Sequence, residues 1–132
     1  MADERMGRLE HVNVTVADPE AMARVLVDLF GWRVRWSGAA TEAGRSVHVG
    51  GDDFYVALYT GPEGQPQAAA HRSYRQKGGL NHIGVVVDNL EAAEARVRAA
   101  GYTPGAHHDY APGRRFYFRE ENGVEIEVIA YG

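Results

Sequence analysis

The sequence predicts an α+β protein built from two tandem copies of one strand-helix-strand-strand-strand unit. The main observation is an internal repeat: the segment LEHVNVTV at 9–16 returns as LNHIGVVV at 80–87. After each copy comes a stretch rich in acidic residues and alanine, and then a glycine followed by an aromatic residue. Each half of such a repeat needs the other to bury its apolar face. The repeat therefore predicts one fold made of two similar modules.

The composition is typical of one soluble globular domain that spans residues 1–132. The chain is 45% hydrophobic and 24% charged, which is enough apolar material for a core. A net charge of −4 without a basic cluster argues against nucleic acid as a partner. Cysteine is absent, so a metal site would need nitrogen and oxygen ligands. No apolar run is long enough for export or for a membrane span, and we expect a cytoplasmic location.

The first module covers about residues 8–60. Valines alternate with polar residues along 9–16, which predicts a half-buried strand with His11 on the face opposite the valines. Asp18 is a predicted N-cap and Pro19 suits the first helical turn, so a helix is expected to run to about Phe30 and to end at Gly31. Three further strands are predicted at 32–36, 46–49 and 54–60.

A segment rich in Gly, Pro, Gln and Ala at about 61–79 is predicted to be a linker or a lid. The second module, at about 80–131, repeats the order of the first. It has a predicted strand at 80–87 that carries His82 and a helix at 90–100. Further strands are predicted at 102–106, 114–119 and 124–130.

The same face assignment places His11, His82 and Glu127 on the side of the strands that faces away from the helices. Two neutral imidazoles and one carboxylate form the set of ligands that holds Fe(II) or Mn(II) and leaves positions free, and Zn(II) or Ni(II) would also accept it. Ala57 occupies the position in the first module that corresponds to Glu127 in the second. The fourth ligand that the repeat would allow is therefore missing.

The sequence resembles the vicinal oxygen chelate superfamily, which includes glyoxalase I, bleomycin-resistance proteins, fosfomycin-resistance transferases, methylmalonyl-CoA epimerases and extradiol dioxygenases. The resemblance covers nearly the whole chain and depends on the segments at 18–32, 80–85 and 116–127. It implies two tandem βαβββ modules that form an open, curved mixed-sheet barrel around a central cleft with a metal.

The resemblance also favours some activities of the superfamily over others. Ala57 departs from the glyoxalase and epimerase pattern, and the phosphonate-binding residues of the transferases have no counterpart around 109–115. The dioxygenase spacing of a histidine, a tyrosine and a glutamate is matched by His108, Tyr117 and Glu127. The resemblance therefore implies catalytic roles for Tyr117 and His108 and a divalent metal, with Fe(II) favoured. A second catalytic histidine of the dioxygenases is absent, and Tyr55 stands near its position.

Several of these residues have a simpler explanation. Tyr117 is as well explained as an aromatic residue that lines a pocket, and His108 as a solvated neighbour of His107. Arg115 and Arg119 share the face of Tyr117, where they would either contact an anionic substrate or offset the acidic residues of the cleft.

Three functions remain open. The first is a metal-dependent enzyme most like a ring-cleaving dioxygenase, which acts on a small molecule with adjacent oxygen atoms. The second keeps the metal as a Lewis acid in a lyase, isomerase or transferase. The third is a metal-free protein that binds an aromatic drug. Because exposed sheet edges are often covered by a second copy, we expect a homodimer.

Overall fold

The computed structural model describes residues 4–40, 43–63, 66–67 and 73–131. The chain divides into two compact units, Met1–Pro66 and Gln67–Gly132. Each unit contains one α-helix and one open four-stranded mixed sheet in βαβββ order. This confirms the predicted fold class of two tandem βαβββ modules. Among the described residues, no helix has the length and apolar character needed to span a membrane.

The first unit has strands in the order β1-β4-β3-β2, with β1 parallel to β4 and the other pairs antiparallel. The helix begins where Asp18 accepts a hydrogen bond from the Ala21 N–H, and it ends at Gly31, which adopts a φ of 68° that suits glycine. The elements are β1 (His11–Thr15), α1 (Pro19–Phe30), β2 (Arg33–Ala39), β3 (Arg45–Gly50) and β4 (Tyr55–Thr60).

The core of the first unit lies between α1 and its sheet. Apolar residues of α1 recur every three or four positions and so form one buried stripe. The residues buried there are Met22, Ala23, Leu26, Leu29, Val47, Val49, Val56 and Leu58. The polar positions of β1, His11 and Asn13, are exposed, as the alternation predicted.

The second unit repeats this arrangement with the strand order β5-β8-β7-β6. Asn89 caps the helix through the Ala92 N–H. The elements are β5 (Ile83–Val86), α2 (Leu90–Ala99), β6 (His108–Tyr110), β7 (Gly113–Arg119) and β8 (Glu125–Tyr131). The buried core consists of Val85, Leu90, Ala93, Val97, Phe116, Phe118, Ile126, Val128 and Ile129.

The structure has no strand at 102–106, so this prediction is wrong. Pro104 has no N–H to donate and Gly105 weakens a strand, so only the Gly105 N–H reaches β7, at 2.8 Å from the Tyr117 carbonyl oxygen. The edge strand β6 forms further along the chain and begins at His108. In the predicted linker, residues 64–65 and 68–72 lie outside the described residues, and Ser73–Arg75 form a short 3₁₀ turn.

Candidate functional site

Two of the predicted metal ligands lie side by side in the second unit. His82 immediately precedes β5, and Glu127 lies in the adjacent parallel strand β8. The Nε2 atom of His82 is 3.1 Å from Oε1 of Glu127. Tyr117 lies opposite Glu127 in the antiparallel register of β7 and β8, and its hydroxyl donates to Oε2 at 3.2 Å. Strand alternation therefore brings these three side chains to one face, as predicted.

The opposite edge of the His82 ring is also bound. Its Nδ1 atom lies 3.3 Å from the Tyr74 hydroxyl and 3.5 Å from Oε1 of Glu125. Tyr74 donates its single hydroxyl proton to Glu125 at 2.7 Å. The Tyr74 oxygen can therefore accept from Nδ1, and Oε1 of Glu127 can accept from Nε2, so each ring nitrogen of His82 faces an acceptor.

Neither Tyr74 nor Glu125 was predicted from the sequence to belong to this site. Glu125 has a signal in the sequence, because it lies two positions before Glu127 on the same strand face. Tyr74 has no such signal in the sequence, because it lies in the predicted linker and its partner Glu125 is 51 positions away.

The carboxylate of Glu127 also pairs with a buried cation. Arg115 is buried and donates from Nη1 to Oε2 of Glu127 at 3.1 Å. Its Nη2 atom donates to the carbonyl oxygens of Tyr110 at 3.4 Å and Gly113 at 3.5 Å. The guanidinium lies 4.3 Å from the centre of the Tyr110 ring. Both arginines thus offset acidic residues, because Arg119 pairs with Glu125 at 3.2 Å.

Burial, followed by the charge of Glu127, raises the pKa of Tyr117 to about 12. The hydroxyl of Tyr117 therefore keeps its proton at neutral pH and acts as a donor.

The neighbours His107 and His108 have different surroundings. The ring of His108, on β6, meets that of Tyr117 edge-on with centroids 5.9 Å apart. His107 instead pairs with Glu94 of α2 at 2.9 Å and stacks on Phe116. Both predicted catalytic residues, Tyr117 and His108, thus lie near each other in the second unit.

The third predicted ligand, His11, lies in the first unit. Its ring stacks on that of Tyr55, with centroids 4.7 Å apart and an angle of 9° between the planes. Its Nδ1 atom is 2.9 Å from the carboxylate of Glu10. Tyr55 also stacks on His48 at 4.4 Å and 19°, and His48 meets Trp36 at 4.9 Å. We call these four residues, one from each strand, the ring row.

The ring row borders a cleft of about 540 Å³ on the first sheet. Burial, followed by the positive charges of His11 and Arg35, lowers the pKa of His48. The cleft is lined by His11, Asn13, Trp36, Ala39, Ala40, Ser46, His48, Tyr55, Ala57 and Tyr59.

The donor atoms of the second unit fit part of a metal site. Two ligands at a right angle, each about 2.1 Å from an ion, are about 3.0 Å apart. The His82 Nε2 and Glu127 Oε1 atoms are separated by 3.1 Å, which matches this spacing and is also the distance of an ordinary hydrogen bond. Within the ranges that the structure describes, no three or more histidine, aspartate or glutamate side chains form a group that could hold a metal ion. His11 belongs to the other unit, so the three-ligand set stays a prediction.

Paired βαβββ units with open sheets, each with polar side chains on the face away from its helix, define the class of the protein as the vicinal oxygen chelate fold. A profile of the Glyoxalase/Bleomycin resistance protein/Dioxygenase superfamily matches residues 8–128, and the chain belongs to this superfamily. None of the curated proteins matches the sequence significantly.

Solved structures of the same fold are similar over nearly the whole chain. A glyoxylase/bleomycin resistance protein/dioxygenase domain from Frankia sp. EAN1pec has a TM-score of 0.79 at 19% identity and covers 96% of this chain and 93% of that one. TnmS3, an antibiotic binding protein from Streptomyces sp. CB03234, has a TM-score of 0.75 at 18% identity, with coverages of 98% and 100%. The fosfomycin resistance protein FosX from Mesorhizobium loti has a TM-score of 0.71 at 25% identity, with coverages of 94% and 91%.

Proposed function

We propose that the protein is a divalent-metal-dependent enzyme in which His11, His82 and Glu127 hold the ion. The proposal depends mainly on the 3.1 Å separation of His82 Nε2 and Glu127 Oε1. The remaining polar atoms of both side chains are already bound, by Tyr74 and Glu125 on one side and by Arg115 and Tyr117 on the other. Such outer hydrogen bonds are typical of histidines and carboxylates that bind metals.

The activity that we propose is most like that of a ring-cleaving dioxygenase on a small molecule with adjacent oxygen atoms. Fe(II), favoured over Mn(II), Ni(II) and Zn(II), would supply redox chemistry and accept a bidentate oxygen substrate when bound. Tyr117 would donate a hydrogen bond to a substrate oxygen, because its pKa of about 12 preserves the hydroxyl proton. His108 is exposed beside Tyr117 and would accept a proton from the substrate at its ring nitrogen.

The test is anaerobic purification with metal analysis, followed by Fe(II) reconstitution and a screen of catechols for oxygen uptake. We expect stoichiometric iron in the original protein and its loss in His82→Gln and Glu127→Gln. The histidines 107 and 108 provide a matched pair: His108→Gln should lose turnover and keep iron, whereas His107→Gln should keep both. An absence of bound metal under all conditions would contradict the proposal.

A non-redox metal enzyme is the second candidate. It belongs to the same superfamily as the first candidate. This candidate keeps the same ligands and uses the ion as a Lewis acid in a lyase, isomerase or transferase. Stoichiometric metal without oxygen uptake for any catechol would favour it over the dioxygenase.

A metal-free drug-binding protein is the third candidate. It is favoured by the ring row and by the structural similarity to TnmS3, an antibiotic binding protein. It predicts that substitution of His82 or Glu127 leaves the affinity for an aromatic ligand unchanged.

We further propose a cytoplasmic homodimer. The edge strand β2 exposes Trp36 and Val34, and exposed edges are commonly covered by a second copy. Sedimentation equilibrium of the purified chain tests the dimer, and a monomer at micromolar concentration would contradict it.

A further inference from the structure

Stacked rings line the cleft of the first sheet. His11, Tyr55 and His48 are nearly parallel, with interplanar angles of 9° and 19°. Because stacked rings cover one another's faces, their edges remain for a ligand. Aromatic edges carry partial positive charge and attract the negative face of another ring. This floor therefore favours a flat ligand that is rich in electrons.

A β-bulge brings a cation to the ring row. Arg35 is not among the residues that line the cleft, but it contacts Tyr55, which is. The register of β2 and β3 shifts between Val34 and Trp36, which leaves Arg35 as an extra residue. In a regular strand Arg35 and Trp36 would point to opposite faces. Here Arg35 lies 4.9 Å from the centre of the Tyr55 ring, while Trp36 contacts the His48 ring.

Arg35 differs from its neighbour Arg33 in its partners. Arg33 forms an ion pair with Asp52 at 2.8 Å. Arg35 donates from Nη1 to the carbonyl oxygen of Phe54 at 3.1 Å. Throughout the part of the chain that the structure describes, no carboxylate forms an ion pair with Arg35. Its remaining N–H donors are thus available to an anion.

We propose that this face binds a flat aromatic acid, whose ring lies on the ring row and whose carboxylate pairs with Arg35. The cleft volume of about 540 Å³ is in the range of small-molecule sites. The inference names a substrate class for the proposed enzyme, and the role as substrate rests on that proposed function. Binding of the acid itself requires no metal.

The test is calorimetric titration of EDTA-treated protein with 2-naphthoate and with 2-naphthamide, which has the same ring without the charge. We expect the acid to bind about tenfold more tightly, as charge-assisted hydrogen bonds do. Arg35→Gln should remove this preference and leave the affinity for the amide unchanged. The matched control is Arg33→Gln, which should keep the preference.

Trp36→Ala should weaken both ligands, with circular dichroism to check that the variant folds. Equal affinity of the original protein for acid and amide would overturn the inference. It would also be overturned if Arg33→Gln and Arg35→Gln lost the preference for the acid to the same extent. The two proposals fail separately. Protein that never holds metal but prefers the acid through Arg35 contradicts only the enzyme, whereas metal-loaded, active protein without that preference contradicts only the aromatic-acid site.

Discussion

The two units share one scaffold, but the sheet faces that point away from the helices have different chemistry. In the first unit the face carries stacked rings, and in the second it carries ion pairs. The difference is clearest at equivalent strand positions. Ala57 pairs with His48 in the first sheet, where Glu127 pairs with Tyr117 in the second. The duplicated fold therefore lets one sheet face change while the core under the helix is kept.

The two units differ at both positions of the ion pair between Glu127 and Arg115. By the same register, Arg115 on β7 corresponds to Ser46 on β3. The second unit thus has Glu127 with Arg115 where the first has Ala57 with Ser46. A buried charge without a partner is costly, so loss of one member alone would leave the other uncompensated.

The largest expected effect comes from breaking this pair in the second unit. Glu127→Ala leaves the Arg115 guanidinium buried without its carboxylate and should lower the free energy of unfolding by about 3 to 5 kcal/mol. Adding Arg115→Ser recreates the pair of the first unit and should recover part of this loss. Urea denaturation measures both.

Glu125→Ala is the control for that experiment. Its partner Arg119 is half-exposed, so the loss of this carboxylate should cost less than the loss of Glu127. A double variant that is no more stable than Glu127→Ala alone would contradict the interpretation of Arg115 and Glu127 as a coupled pair.

Strand alternation and the repeat were sufficient to predict the βαβββ order and the shared face of Glu127 and Tyr117. Two predictions from strand patterns failed for different reasons, one local and one that depends on a neighbouring strand. The segment 102–106 is not a strand because Pro104 and Gly105 limit its pairing with β7. The position of Arg35 depends on a register shift against β3, and alternation within β2 alone predicts the opposite face.

A smaller effect should follow from Tyr74, which binds the second-unit histidine and has no described counterpart beside His11. Tyr74→Phe removes the hydroxyl that contacts both Glu125 and His82. If His82 is a metal ligand, loss of this outer hydrogen bond should weaken Ni(II) binding about tenfold. Titration calorimetry measures the affinity, and ¹⁵N NMR of the metal-free protein should detect a smaller share of the tautomer protonated on Nδ1.

Tyr131→Phe is the matched control, because Tyr131 is exposed at the end of β8. It should leave both the affinity and the tautomer unchanged. An unaltered His82 spectrum in Tyr74→Phe would argue that Glu125 alone positions the ring.

The smallest expected effect concerns the turn that joins the last two strands of the second unit, which differs from the corresponding turn of the first unit. In the second unit the buried carboxylate of Glu120 accepts from the backbone N–H groups of Asn122 and Val124. In the corresponding turn of the first unit, Asp52 forms an ion pair with Arg33, and both side chains are exposed. Burial raises the pKa of Glu120 above its ordinary value of 4.5.

The folded state therefore binds the Glu120 proton more tightly than the unfolded state does, so this group's contribution to stability falls as the pH rises from about 4.5 through the folded-state pKa. Glu120→Gln removes that dependence, and its free energy of unfolding should rise relative to the original protein across the same pH range. Asp52→Asn should shift stability by less than about 0.5 kcal/mol at each pH, because exposed ion pairs contribute little. Urea denaturation between pH 4 and pH 8 measures all three proteins. A constant difference for Glu120→Gln would mean that the hydrogen bonds of the turn offset the burial of the carboxylate.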